Sequence, residues 1–96
     1  MMKVEWSAAA VADVDRFAHF FQDRFPEMAK AVGRELLQQS DLLIEHPQLG
    51  RPLAARPDLR QLVVRVLNAF YVIHYRVTPD RLVILRVFHG REARDK

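Results

Sequence analysis

The sequence has no cysteine among its 96 residues. This absence excludes disulfide frameworks, thiolate nucleophiles and zinc sites with cysteine ligands, and it fits a reducing compartment. Long hydrophobic runs are also missing, and the N-terminus has no basic stretch followed by an apolar region. The sequence therefore predicts neither a membrane span nor a secretion signal, and we expect a cytoplasmic protein.

Glycine and proline are scarce, with three and five residues respectively. Hydrophobic residues make up 50% of the chain and charged residues 28%, so neither a disordered nor a fibrous protein is expected. A chain of this length closes one hydrophobic core and leaves nothing for a second. We therefore expect a single domain over residues 1–96.

Charge is distributed unevenly along the chain. Residues 1–50 contain five basic and eight acidic residues, whereas residues 51–96 contain ten basic and four acidic residues. All but one of those ten bases are arginine, whose planar guanidinium suits bidentate contacts with phosphate or carboxylate groups. This excess predicts an anionic partner, either nucleic acid or an acidic protein segment. The alternative is ordinary solvated surface charge.

The N-terminal half has the pattern of one short strand and two helices. Lys3 to Trp6 is β-type, and Ser7 is placed to cap a following helix. Apolar residues at helical spacing predict a buried stripe on this first helix: Val11, Val14, Ala18, Phe21 and Phe25. Asp13 is then expected to make only local surface contacts, with Arg16 or Phe17. Pro26 ends the helix and suits the first turn of the next.

The second helix is predicted to run from Pro26 until His46 and Pro47 stop it. Its apolar stripe is Ala29, Val32, Leu36, Leu43 and Ile44, interrupted at Ser40. Glycine and proline then mark residues 48–58 as a connecting loop. The two long amphipathic helices are expected to form an antiparallel hairpin.

Three β-rich runs follow, Leu59 to Val66, Ala69 to Val77 and Leu82 to Phe88, with turns at Leu67-Asn68 and from Thr78 to Arg81. The element order β-α-α-β-β-β predicts the α+β class. The helical hairpin is expected to pack on one face of a mostly antiparallel sheet.

The register of the last hairpin can be predicted because side chains alternate between the faces of a strand. A three-residue loop at Pro79 to Arg81 brings both apolar sets to the helix-covered side. That register pairs Tyr75 with Leu85, Ile73 with Val87, and His74 with Arg86, and it places Arg76 next to Ile84. Arginines then lie among Phe70, Val72 and Phe88 on the other face, which is typical of a nucleic-acid-binding or peptide-binding surface. A partner chain could also cover that face.

Several segments together carry a family resemblance: the opening strand with Trp6, the alanine-rich first helix with Asp13 and Asp15, His46-Pro47-Gln48-Leu49-Gly50-Arg51-Pro52, Leu59-Arg60, Tyr71-Val72-Ile73-His74-Tyr75-Arg76-Val77, and Ile84-Leu85-Arg86-Val87-Phe88-His89-Gly90-Arg91. In this order and spacing, they make nearly the whole chain resemble the ParE/RelE superfamily of bacterial toxin–antitoxin toxins. The resemblance implies the same β-α-α-β-β-β fold. It also implies a cognate antitoxin that neutralises the toxin by wrapping it in a hetero-oligomer.

The resemblance leaves two targets open. RelE-like members cleave mRNA on the ribosome, which needs a base, an acid and fixed positive charge around the phosphate. For that reaction the candidate catalytic residues are His74, Arg86 and His89, with Arg60 and Arg65 as further cations. The alternative for His74 is a partly buried strand histidine bonded to a neighbour. The alternative for His89 is a C-terminal anchor.

The ParE-like branch, whose members inhibit DNA gyrase, is favoured by the Leu-Gly-Arg-Pro segment and the His-Gly-Arg ending. The chain has no lysine between residues 31 and 95 and no tyrosine after Tyr75, unlike RelE-like nucleases. The predicted binding residues for gyrase or the antitoxin are Arg60, Arg65, Arg76, Arg86 and Arg91. A third possibility is a member that binds antitoxin and has lost toxicity.

No metal or cofactor is expected. The four histidines, at positions 19, 46, 74 and 89, lie in different elements, and no two of them are four residues apart. The expected partners are thus the antitoxin and gyrase, with the ribosome and mRNA as the alternative to gyrase.

Overall fold

A computed structural model of the protein describes residues 2–22 and 25–91. Its elements are β1 (Lys3–Trp6), α1 (Ala8–Gln22), α2 (Pro26–Glu45), β2 (Arg51–Pro52), β3 (Leu59–Val66), β4 (Ala69–Val77) and β5 (Arg81–His89). The strands form one sheet in the order β1-β5-β4-β3-β2. The predicted α+β class and the order β-α-α-β-β-β are confirmed, with one addition: the segment predicted as a loop contains the two-residue edge strand β2. The sheet is mixed because β1 runs parallel to β5, while the other pairs are antiparallel.

Ser7 caps α1 as predicted, and it also joins the helix to the sheet. Its hydroxyl oxygen accepts a hydrogen bond from the Ala10 N–H at 3.0 Å and donates one to the Leu85 carbonyl at 2.8 Å. The Ser7 N–H donates to the Ile84 carbonyl at 2.9 Å. The start of α1 is therefore held directly against β5.

Neither helix in the described part of the chain has the length and hydrophobicity that a membrane span needs.

The buried stripe predicted for α1 is wrong, because the face that the helix actually buries is offset from it by about one residue. The residues that α1 buries are Ala10, Asp13 and Phe17, whereas Val11 and Phe25 are about half exposed. Val14 and Phe21 are partly buried at the margin of the core. The helix is rotated because Asp13 turns inward to meet groups of β5. Residues 23 and 24, through which the first helix was predicted to continue, lie outside the described part of the chain.

The second helix agrees with its predicted bounds and face. It begins at Pro26, ends at Glu45, and buries Val32, Leu36, Ser40 and Leu43. The Ser40 hydroxyl donates to the Leu37 carbonyl at 2.8 Å, which satisfies the polar group inside an apolar stripe. Together α1 and α2 cover one face of the sheet, and the core lies between them and the strands.

The predicted bounds of β3 and β4 are confirmed, while β5 is one residue longer at each end than predicted. The turn between β3 and β4 uses Leu67 with φ 56°, an unusual conformation for a branched side chain. The predicted pairs Ile73 with Val87 and His74 with Arg86 are present.

A β-bulge overturns the rest of the predicted register. Beyond His74 the pairing shifts, so that Tyr75 pairs with Ile84 rather than Leu85, and Arg76 pairs with Val83 rather than Ile84. Leu85 is the extra residue on β5. The shift places Leu82 and Ile84 in the core with Val87, a combination that an uninterrupted strand cannot produce.

The loop after α2 is fixed by Tyr75. Its hydroxyl donates to the Pro47 carbonyl at 2.8 Å and accepts from the Gly50 N–H at 2.8 Å. A side chain at position 50 would place its Cβ 2.7 Å from the Gln61 carbonyl oxygen, so only glycine fits here. Burial raises the pKa of the Tyr75 hydroxyl, which keeps it protonated and able to donate.

Candidate binding surfaces

The face of the sheet opposite the helices forms one continuous surface, which we call the open face. Alternation along the strands assigns to it Gln61, Val63, Arg65, Phe70, Val72, His74, Arg76, Arg86 and Phe88. Val63, Val72 and Phe88 form one cross-strand row at its centre. Val72 is only 7% exposed, yet it lies outside the main core cluster. The open face thus has a small apolar centre of its own.

His74 lies in the middle of the open face and is partly buried. Its Nε2 is 3.0 Å from the side-chain oxygen of Gln61, and its ring packs edge-on against Phe88 with a centroid distance of 5.2 Å. Burial, and secondarily the positive charge of Arg86, lowers the pKa of His74 below its ordinary value. The lowered pKa favours the neutral imidazole at pH 7.

Arg86 is bound by a buried carboxylate that the sequence did not indicate. Its Nε donates to Asp13 Oδ2 at 2.8 Å and one terminal nitrogen donates to Oδ1 at 3.0 Å. Asp13 also accepts from the Val87 N–H at 2.8 Å and from Arg16 at 2.9 Å, and it is 2% exposed. The prediction that Asp13 makes only local surface contacts is wrong, because its main partners are on β5.

The protonation of Asp13 reflects opposing effects. Burial alone raises the pKa of this carboxyl group, but the hydrogen bonds from Arg86, Val87 and Arg16 together lower it below the ordinary value. Asp13 is therefore ionised at neutral pH. Arg86 stays 45% exposed and lies 4.9 Å from the centre of the Phe88 ring.

Two further predicted arginines share the open face with Arg86. Arg65 lies over the Phe70 ring at 5.8 Å and donates to the Leu67 carbonyl at 3.3 Å. Arg76 is exposed on β4, paired with Leu59 on one side and Val83 on the other. The open face therefore combines three of the predicted arginines with aromatic and aliphatic side chains.

The other predicted site residues lie elsewhere. Arg60 pairs with Tyr75 on the helix-covered side and donates to the Gly50 carbonyl at 2.6 Å, so it holds the loop after α2. His89 packs edge-on against the buried Tyr71 ring at 5.2 Å, on the face opposite His74. Its Nδ1 accepts from the Arg91 N–H at 3.1 Å, as expected for an anchor of the C-terminal segment.

A second surface is an apolar groove at the end of the sheet, which we call the end groove. It encloses about 860 Å³ between α1, α2, the β3–β4 turn and the end of β5. Most of its lining is apolar and aromatic, namely Phe17, Phe20, Phe21, Met28, Val32 and Phe70. The basic residues at its rim are Arg16, His89 and Arg91. Phe20 is 79% exposed. Such an exposed aromatic beside a concave apolar surface is typical of a protein contact.

Within residues 2–22 and 25–91, no three histidine, aspartate or glutamate side chains are grouped as metal ligands. Both surfaces combine charged, hydrogen-bonding and apolar side chains. Hydroxyl, imidazole and guanidinium groups are present on them, but the two histidines of the predicted catalytic set do not converge.

Comparisons with known proteins agree with this fold and with its size. Toxin RelE3 of Caulobacter vibrioides is 32% identical over 94 residues, which cover 98% of this chain and all of that protein. Toxin RelE1 of the same organism is 31% identical over 88 residues, covering 92% of each chain.

Solved structures give the same result. A chain of the chromosomal ParDE toxin–antitoxin system from P. aeruginosa superimposes with a TM-score of 0.73 at 26% identity, covering 93% of this chain and 96% of that one. YafQ from E. coli has a TM-score of 0.50 at 17% identity, covering 96% and 97%, which supports the fold alone. Residues 4–94 match the family described as the ParE toxin of the type II toxin–antitoxin system parDE. The chain belongs to this family and is a toxin of a type II toxin–antitoxin system.

Proposed function

We propose that this toxin acts as ParE-like members do, by binding DNA gyrase and inhibiting it without chemistry of its own. The observation that carries the proposal is the composition of the open face. Arg65, Arg76 and Arg86 surround an apolar centre there, which suits an acidic protein surface with exposed hydrophobic groups.

The positions of the histidines support binding over catalysis. Metal-free RNA cleavage needs a base and an acid on either side of one phosphate. His74 and His89 face opposite sides of the sheet, so one bound phosphate cannot contact both. His74 is further occupied by Gln61 and Phe88.

The end groove is the proposed antitoxin site. Its aromatic lining and its basic rim, with Arg16 and Arg91, fit an amphipathic segment that carries acidic residues along one side. Phe70 lines the groove and also belongs to the open face. An antitoxin in the groove would therefore extend to the target-binding surface and exclude gyrase.

A ribosome-dependent ribonuclease is the second candidate. The His74 and Arg86 pair favours it, because the lowered pKa of His74 leaves a neutral imidazole beside a cation on an open surface. The relatives named RelE toxins are consistent with this second candidate function.

Induction of the toxin in bacteria separates the two, with plasmid supercoiling and total mRNA followed during the first minutes of growth arrest. We expect relaxed plasmid or trapped gyrase–DNA complexes while mRNA stays intact. Cut mRNA with normal supercoiling would favour the ribonuclease instead. Co-expression of the antitoxin is the control and should abolish either effect.

A further inference from the structure

Asp13 lies where the sheet loses its outer strand. Within the described residues, β1 pairs with β5 only as far as Ile84. The first turns of α1 then take over the exposed edge of β5: Ser7 binds the Ile84 and Leu85 carbonyls, and the Asp13 carboxylate accepts the Val87 N–H. Asp13 thus supplies the acceptor that a neighbouring strand would have provided.

That position also lets one carboxylate hold Arg86 in a bidentate contact. Both oxygens of Asp13 accept from Arg86, at 2.8 and 3.0 Å, and the guanidinium lies over Phe88. Bidentate pairing and ring stacking fix the plane of a guanidinium, whereas a lone surface arginine samples many rotamers. Arg86 nevertheless stays 45% exposed, so its charge remains accessible from the open face.

We infer that Asp13 is a positioning residue, which acts through Arg86 and fixes the guanidinium on the open face to receive an anionic group of the target. The inference rests on the proposed role of the open face. Pre-organisation of this kind raises affinity because the entropy of the side chain is lost during folding rather than during binding. Asp13 itself is 2% exposed, so in this role it acts through Arg86 rather than by direct contact with the target.

A double-mutant cycle tests this role. D13N removes the charge and keeps an oxygen that can accept from Val87, while R86K keeps the positive charge and loses the bidentate geometry. We expect each variant to need roughly tenfold more toxin for half-maximal effect. The double variant should be no weaker than the weaker single variant, because both substitutions remove the same fixed guanidinium.

Two control variants separate positioning from stability. E5Q makes the same carboxylate-to-amide change at another arginine ion pair of β5, in which one terminal nitrogen of Arg81 donates to both oxygens of the exposed Glu5, each at 3.1 Å. L36V weakens the core at a residue 1% exposed on α2, away from Arg86. Both controls should inhibit as the wild-type protein does once the folded fraction is accounted for.

Potency is measured as growth arrest per amount of folded toxin and, separately, as inhibition of gyrase supercoiling. The inference would be overturned if the potency losses of the two single variants multiplied to roughly a hundredfold in the double variant. It would also be overturned if D13N were as potent as E5Q. If D13N does not fold, R86K alone decides, and wild-type potency of R86K contradicts the role of Asp13. Growth arrest without gyrase inhibition would refute the proposed target. The double-mutant cycle of D13N and R86K would then still test the role of Asp13, with potency measured as growth arrest.

Discussion

His89 packs against Tyr71 at a centroid distance of 5.2 Å, on the helix-covered side of the sheet. The contact places His89 within the fold and against a ring that is 1% exposed. It therefore separates the two histidines among the predicted catalytic candidates, since His74 faces the opposite side.

This separation predicts that neither imidazole is needed for toxicity. The double variant H74Q/H89Q should arrest growth within about threefold of the wild-type protein, because glutamine replaces the hydrogen bonds but cannot exchange protons at neutral pH. Growth arrest is measured at equal toxin levels by immunoblot. A loss on the order of a hundredfold or more would instead indicate acid–base chemistry.

The stability of the protein should depend on pH through His74. The folded state lowers the pKa of this residue, so the unfolded chain binds the proton more tightly. The free energy of unfolding should therefore fall as the pH drops below about 6.5, by at most about 1.4 kcal/mol per pH unit. Urea denaturation at several pH values measures this slope, and H74Q should reduce it. An unchanged slope in H74Q would contradict the assignment.

Asp13 should govern stability in a lower pH range. Its folded-state pKa is depressed, so its contribution is complete above the unfolded value near 4 and is lost as the pH falls through the folded value. D13N should remove this acid-sensitive component and lower stability at pH 7. The measurement is thermal unfolding between pH 2 and pH 7, with D15N, at an exposed position on the same helix, as the matched control.

Gly50 and Gly33 should respond in opposite ways to alanine. A Cβ at position 50 would lie 2.7 Å from the Gln61 carbonyl oxygen and 2.8 Å from the Tyr75 ring, so G50A should destabilise the fold by about 2 to 4 kcal/mol. Gly33 lies within α2 with nothing near its added Cβ, so G33A should stabilise by about 0.5 to 1 kcal/mol. Chemical denaturation of both variants tests the pair, and equal effects would be inconsistent with the packing at Gly50.

The end groove should matter for neutralisation and not for toxicity. F20S removes an aromatic ring that is 79% exposed at the groove, so it should weaken antitoxin binding by roughly tenfold or more while growth arrest without antitoxin is kept. Calorimetric titration with the purified antitoxin measures the affinity. L37S, at an exposed leucine of α2 outside the groove lining, is the control. Equal affinities of F20S and L37S would place the antitoxin elsewhere.

Much of the fold could be predicted from the sequence because local signals agreed. Pro26 and Pro47 set the limits of α2, and the β-rich runs set β3 and β4. The pair of His74 and Arg86 followed from simple alternation. The bulge at Leu85 could not be predicted, because its cause is the packing of Leu82 and Ile84 against the helices rather than a local turn residue.

The candidate site was predicted less completely for a similar reason. Arg76 and Arg86 were predicted as charges on the open face and Arg65 as a binding residue, but Arg60, another predicted binding residue, holds the Gly50 carbonyl within the fold. Asp13 was missed because helical periodicity assigns an aspartate to the solvent side. Besides Arg16, its partners are 73 and 74 residues further along the chain, so only the tertiary structure brings them together.

Supercoiling by purified DNA gyrase, titrated with the toxin, tests whether gyrase is the target and the open face its binding surface. Wild-type protein should inhibit it, R65E/R76E should need at least roughly tenfold more protein, and R34E on α2 should match the wild type. Antitoxin added at equal concentration should restore supercoiling. If folded wild-type toxin leaves gyrase unaffected at concentrations above those that arrest growth, gyrase is not the target.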